Sequence, residues 1–410
     1  MQIELLSPVG SYESLNAAIR AGADSIYFGA GELNMRSRSS FNFLEEDIFK
    51  VASICSKMKV KSYLALNTII YDEEIPKAEN LLASAKNAGI SAVIASDLSV
   101  IIAAHAKGLP VHISVQANVS NIETLRFYSK YADVMVLARE LSLDQIKQIV
   151  NKIKTDDIRG PSGDLIKIEI FAHGALCVSV SGKCYMSLST HNASANRGAC
   201  YQNCRRAYRV IDEISGQELV IDNKYVMSPK DICLIRCLYK IISAGVSVLK
   251  IEGRGRSTDY VHTVTKVYKE ALLAIEEDQY TSERISVWEK QLSGVFNRGF
   301  WHGGYYLGNS LEMWSGNPEN KAEKRKIRAG VVTNYFAKIG IAEINLREFD
   351  LEDGDEVIFI GASTVTVPEN IKSIRLDDRE VKSAPKGSII SIKVSQKVRR
   401  NDAVFVLKKD

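Results

Sequence analysis

The chain has 410 residues, of which 46% are hydrophobic and 25% charged, and a formal net charge of +4 at pH 7. That is ordinary for a globular protein, with apolar material for one large domain plus a small one, or for two to three ordinary ones. No run approaches a membrane span, MQIELLSPVG lacks the basic n-region and long apolar stretch of a secretory leader, and seven cysteines in so long a chain argue against a disulfide framework, so a cytoplasmic protein is expected.

Eight times in the first 260 or so residues, a short apolar run ends at a polar or Gly-containing turn. The runs are IELLSP, SIYFGA, KSYLALNT, AVIAS, VHISVQAN, VMVLARE, KIEIFAHG and VLKIEG. They read as buried strands. Most are followed by segments with apolar positions at three- and four-residue spacing, as in EEIPKAENLLASAKNAG, which read as helices. Eight such βα units predict an α/β protein, a (β/α)8 TIM-type barrel over residues 1–315. Between the seventh and eighth strands, a Cys-rich insertion over about 174–235 breaks the spacing. It contains a hairpin candidate, YRVIDEISGQELVID, with Ser215-Gly216 at its turn. In DICLIRCLYKII an amphipathic helix is expected, with Cys237 on its inner face. A basic linker is expected over 316–328. From Ala329 to Asp410 short alternating strands predict a small all-β barrel or sandwich.

Chemistry in such a barrel sits at the C-terminal ends of the strands. The polar residues there are Ser7, Gly29, Asn67, Ser96, Gln116, Asn118, Arg139, Glu140, His173, Glu252 and Arg254. Arg139, Glu140, Glu252 and Arg254 could pair with one another or clamp an anionic substrate. Asn67, Gln116 and Asn118 are substrate-binding candidates.

Cys177, Cys184, Cys200 and Cys204 fall within a few dozen polar residues, and Cys233 follows. Soft thiolates at one site suit zinc or an iron–sulfur cluster. Only Cys200 and Cys204 have a zinc-knuckle spacing, which favours a cluster. A cysteine nucleophile with His173 or His191 as base is a further reading, and it leaves the other thiols unexplained.

EIFAHGALCVSVSGKCYMS resembles the signature of the collagenase-like peptidase family U32. SANRGACYQNCRRAY, LKIEGRGRSTDYV, FNRGF, QANVSN and VLARELSL are similar to further family blocks, so the resemblance covers essentially the whole chain. The C-terminal AGVVTNYFAKIGIAEINL resembles a β-barrel of the translation-factor type, appended in some members. The family name implies proteolysis. The resemblance also implies oxygen-independent hydroxylation with a four-iron four-sulfur (4Fe-4S) cluster, on tRNA uridine, on ribosomal RNA cytidine or in ubiquinone biosynthesis. By that resemblance Cys177, Cys184, Cys200 and Cys233 are the cluster ligands. Cys204 matches a cysteine that some members retain and others lack. Arg139, Glu140, His173, Glu252 and Arg254 are expected to line the catalytic site. Prephenate is implied as oxygen donor in the tRNA and ubiquinone branches. Cys200-x3-Cys204 with RRAY, and the extra β-barrel, point to the tRNA branch. Its product is 5-hydroxyuridine at the wobble position. The expected partner is tRNA, with a second subunit of the same family as a further candidate, and neither DNA nor a membrane is expected. Two alternatives stand beside this reading: a collagenase-like peptidase, and an RNA-binding, translation-associated scaffold with a structural zinc.

Overall fold

The computed structural model describes residues 3–38, 42–219, 227–308, 314–315, 320–361, 363–377 and 379–409. Seven parallel strands run in sequence order: β1 (Glu4–Pro8), β2 (Ser25–Phe28), β3 (Lys61–Leu66), β4 (Ala92–Ala95), β5 (Val111–Ile113), β6 (Val134–Val136) and β7 (Lys167–Gly174). The strand Val248–Ile251 closes the ring. It is parallel to both neighbours, with Val248 opposite Glu169 of β7 and Glu4 of β1. The expected (β/α)8 barrel is therefore present.

Six helices connect the first seven strands: α1 (Tyr12–Arg20), α2 (Asp47–Lys57), α3 (Ile75–Ala88), α4 (Leu98–Ala106), α5 (Ile122–Tyr128) and α6 (Leu143–Thr155). α7 (Met186–His191) and α8 (Leu238–Ser243) follow β7, and α9 (Thr258–Glu276) and α10 (Ser282–Ser293) follow the closing strand. Local chemistry sets their ends. Ser11, Asp97, Asn121 and Ser142 each accept a backbone N–H of the first turn. Gly89 stops α3 in the left-handed region, with φ 74°. α6 buries Ile146, Ile149, Val150 and Ile153, the helical spacing that turns one apolar face to the barrel.

Three expectations change. VHISVQAN is extended only to Ile113; Ser114 then caps a short 3-10 turn, Val115–Ala117, which re-aims Gln116 and Asn118. DICLIRCLYKII does not form one helix. Asp231–Cys233 is a strand antiparallel to the end of β7, and the helix starts only at Leu238. That strand also pairs in parallel with Phe300–His302, which buries Trp301 completely. The basic segment is not wholly a linker, because a long strand, Lys324–Phe336, begins inside it and pairs with Ala403–Lys409. Residues 316–319 of the expected linker lie outside the described residues.

The C-terminal unit is an eight-stranded antiparallel sheet around a separate core that includes Val332, Ile344, Phe359 and Val404. Val365–Asn370 and Arg379–Val381 were not expected as strands. Pro368 suits an edge strand, since it has no N–H to leave unpaired. That edge lies against α1 and α9. Lys326 also binds Asp259 at the start of α9, so the sheet docks on the barrel's flank.

Candidate active site at the barrel mouth

A cavity of about 450 Å³ opens at the C-terminal ends of the strands. Its walls are strongly cationic. Arg36, Arg38, Arg139, Arg205, Lys250, Arg254, Arg256 and Arg298 line it, against the single carboxylate, among the described residues, of Glu252. Glu252 Oε1 lies 2.9 Å from Arg36 Nη2, and Tyr27 donates to Oε2 at 3.3 Å. Burial would raise this carboxyl, but Arg36, Arg139 and Arg254 outweigh burial and hold it at about 2. Arg254 donates to Asn34 Oδ1 at 3.1 Å, and burial lowers it to about 10. Gly29 makes that approach possible, because a Cβ there would meet Arg254 Nη1 at 2.3 Å and Asn34 at 2.5 Å. Arg139 stacks 4.1 Å above the Phe171 ring, and its Nε has no hydrogen-bond partner among the described residues.

Below the mouth, the barrel interior carries a buried ion pair where branched apolar side chains are usual. Lys250 Nζ binds Glu169 Oε1 at 2.8 Å, and both side chains are shielded from water. His112 Nδ1 lies 3.7 Å from the other Glu169 oxygen. Lys250 also sits 4.5 Å from the Tyr27 ring centroid. Burial is the largest influence on Glu169 and opposes ionisation, but Lys250 and His112 together hold its carboxyl below the usual range.

The cysteine segment covers the mouth and is tied down by polar contacts in place of a core. Arg197 stacks 3.9 Å over Tyr71, donates to Ile69 O at 2.9 Å and pairs with Glu74. Gly198, at φ 80°, lets the segment lie on the β2–α2 loop, where a Cβ would meet Ser37 Oγ at 2.1 Å. Asn203 is buried and donates to Met186 O and Thr190 Oγ1. Arg205 donates to Leu176 O at 2.6 Å and Pro229 O at 2.5 Å, joining the backbone beside Cys177 to the turn that carries Cys204. The hairpin is formed, Val210–Ile211 against Glu218–Leu219, with Gly216 at φ 67°. The rest of the expected hairpin, 220–222, lies outside the described residues.

Cys177, Cys184, Cys200 and Cys204 all line the cavity. Burial raises the Cys204 thiol, Arg205 opposes the rise, and the other three thiols lie near enough to act on it. Cys233 is elsewhere. It ends the strand antiparallel to β7, opposite His173, fully buried beside the Tyr268 hydroxyl, and burial pushes its thiol up to about 12. The thiols brought to the cavity are thus Cys204 with the first three, and the expected Cys233 is left out. Among the described residues no group of three or more His, Cys, Asp or Glu is placed to hold a metal ion. A polynuclear cluster is larger than a single ion and anionic with its thiolates, so four thiols lining one arginine-rich cavity fit such a group.

Of the other expected site residues, Arg139, Glu252, Arg254, Asn67 and Gln116 line the cavity. Gln116 Oε1 has no partner among the described residues. Asn67 accepts from Met35 N at 3.2 Å and so holds the β2–α2 loop. His173, Glu140 and Asn118 do not line it. A register shift between Lys250 and Ile251 re-aims the end of β7, and His173 lies among Tyr260, Tyr268 and Phe300. Burial, with His302 nearby, lowers His173 to about 3, so the ring is neutral at pH 7. Glu140 follows Arg139 on the outside of the mouth and is exposed. Asn118, left-handed at φ 52°, donates to Ser181 O at 3.0 Å and anchors the cysteine segment. Ser7 bonds Thr265 at 2.7 Å, and Ser96 donates to Asn67 O.

The strand-end reading missed Arg36, Arg205 and Lys250. Arg36 sits in the polar β2–α2 loop, and Arg205 in the insertion. Lys250 was legible as a lysine inside the apolar run VLKI, with Glu169 inside IEIF and Glu4 inside IELL as candidate partners. A charge in a buried strand asks for a countercharge.

Among the described residues no helix is long and apolar enough to cross a membrane. The chain is 50% identical over 402 residues to a protein named collagenase in Porphyromonas gingivalis, covering 98% of this chain and 97% of the relative. It is 30% identical over 408 residues to tRNA hydroxylation protein P1 of Bacillus subtilis, covering 96% and 92%. A solved U32 peptidase structure aligns with 62% of this chain and 93% of its own at a TM-score of 0.41 and 11% identity. A family model described as Peptidase family U32 matches residues 10–315. The chain belongs to peptidase family U32.

Proposed function

We propose that the protein is an iron–sulfur-dependent, oxygen-independent RNA hydroxylase acting on a tRNA wobble uridine to give 5-hydroxyuridine. The observation that supports this most is the ring of four thiols, Cys177, Cys184, Cys200 and Cys204, around a cationic pocket. The relation to a tRNA hydroxylation protein over nearly the whole chain supports the substrate. A 4Fe-4S cluster held by those thiols supplies one-electron redox chemistry beside the pocket. The protein's own residues bind and orient. Arg139 and Arg254 offer planar donors to carboxylates, and Lys250 offers a fixed ammonium at the pocket floor. A hydroxylation that does not use molecular oxygen needs a second oxygen source, and prephenate, a dicarboxylate, suits such a wall. Glu252 keeps Arg36 directed into the mouth.

Anaerobic purification with an absorption spectrum and iron and sulfide counts tests the cluster. Cys204→Ser is expected to lose most of the iron and Cys233→Ser to keep it. The reverse pattern would refute this ligand set. tRNA from a deletion strain should lack 5-hydroxyuridine and regain it on complementation. An unchanged nucleoside profile would sink the substrate half and leave the cluster half standing.

The second reading, a collagenase-like peptidase, is favoured by the name of the 50%-identical relative. It expects metal-free protein to cleave denatured collagen. The burial of His173 away from the cavity removes that ring as base for a cysteine nucleophile there.

A further inference from the structure

From Cys177 to Arg209 the chain contains no Asp or Glu, while Lys183, Arg197, Arg205, Arg206 and Arg209 are all cationic. Arg197 and Arg205 are consumed in holding the segment down. Lys183 and Arg206 face outward. Between them stand large aromatic side chains that the fold leaves uncovered. Tyr185 is 72% exposed and Tyr201 is 51% exposed. Tyr201 also lines the cavity, so this surface runs straight into the mouth. The His191 ring lies 4.8 Å from that of Tyr201, and Arg206 Nη2 lies 3.5 Å from His191 Nε2. Tyr208 shows the contrast: it is partly buried, and its hydroxyl donates to Asn203 O at 2.7 Å.

An exposed tyrosine next to arginine, in a stretch free of carboxylates, has a specific chemical complement. The complement is a polyanion that also presents flat π faces. Unpaired nucleic acid has both, because every base can stack and every linkage carries a charge. A paired duplex hides its bases, and an apolar peptide gains nothing from the missing carboxylates. Tyr201 at the edge of a base-sized pocket is placed where a nucleotide next to one that has entered the cavity would lie.

Resting on the RNA reading above, we infer that the rim formed by Tyr185, Tyr201, His191 and Arg206 is a stacking platform for unpaired bases flanking the nucleotide that enters the cavity. Tyr201 and His191 take a base at the mouth, Arg206 meets the neighbouring phosphate, and Tyr185 takes a base farther along the strand.

The test uses the full chain, purified anaerobically, and a fluorescent RNA hairpin with uridine in its unpaired loop. A fully paired RNA of the same composition is the control. The wild type is expected to prefer the hairpin. Tyr185→Ala and Tyr201→Ala should each weaken hairpin binding about tenfold, the scale of one lost base–aromatic stack. Tyr201→Phe keeps the ring and should bind like the wild type, which separates stacking from a folding defect. 2-Aminopurine beside the loop uridine should be quenched by the wild type and not by Tyr201→Ala. Hairpin binding that survives both alanine changes with quenching intact would overturn the platform alone. A wild type that binds no RNA would overturn both the platform and the RNA reading. Binding of a denatured collagen peptide in place of RNA, lost in the alanine variants, would reassign the rim to a protein substrate.

Discussion

His173→Leu isolates the cost of burying an imidazole that cannot take up a proton. In the folded chain the ring is enclosed by three aromatic side chains and protonates only near pH 3, against 6.5 for a free histidine. As pH falls below 6.5 the unfolded chain binds a proton that the folded chain refuses. Stability is therefore fully present above 6.5 and declines as the solution is acidified. Each pH unit below 6.5 is worth about 1.4 kcal/mol, so between pH 7 and pH 5 the wild type should lose about 2 kcal/mol through this residue. The variant has no such group and should lose about 2 kcal/mol less over the same interval. The remaining histidines are common to both proteins and cancel, and Glu252, at about 2, does not titrate there. Urea unfolding followed by tryptophan fluorescence measures it. Trp288, Trp301 and Trp314 all precede the C-terminal sheet, so the signal reports the barrel. Equal losses in the two proteins would refute the reasoning, whatever the absolute stability of the variant.

Three further outcomes are expected. Glu169→Gln strands the Lys250 ammonium inside the barrel and should cost about 3–5 kcal/mol in the same assay, while Glu169→Leu with Lys250→Met costs less. Gly29→Ala should push Arg254 off Asn34, visible as a displaced guanidinium in a crystal structure of the variant and as weaker carboxylate binding by calorimetry, with little change in the C-terminal sheet. Glu252→Gln removes a carboxylate whose folded value lies about 2.5 units below its usual 4.5, so about 3 kcal/mol of the stability present above pH 4.5, and lost as pH falls toward 2, should be missing from the variant's acid-unfolding curve.

Much of the fold was readable because each βα unit declares itself locally. Val, Ile and Leu runs end at turns, Ser142 and Asn121 cap the helices that follow, and Gly89 stops another. The errors fell where contacts distant in sequence override local pattern. DICLI has the composition of a helix start, yet the open end of β7 recruits it as a strand. KRKIR looks like a solvated linker, yet Ala403–Lys409 pairs with it. The site divides in the same way. Arg139, Glu252 and Arg254 were legible because a strand's last residues must face the mouth of a barrel. His173 follows the same rule in sequence and escapes it in space, through one register shift.

The amino-acid order alone therefore determined the barrel, the appended sheet and the chemistry that a segment rich in thiols and poor in carboxylates can support, since those follow from periodicity and composition. Which thiols share a cavity was decided only by the tertiary structure. By resemblance Cys233 is the expected ligand and Cys204 the undecided one, but a turn fastened by Arg205 carries Cys204 to the mouth, and a strand added to β7 buries Cys233 beside Tyr268. Proximity between side chains far apart in sequence is a property of the packed chain, and no local pattern encodes it.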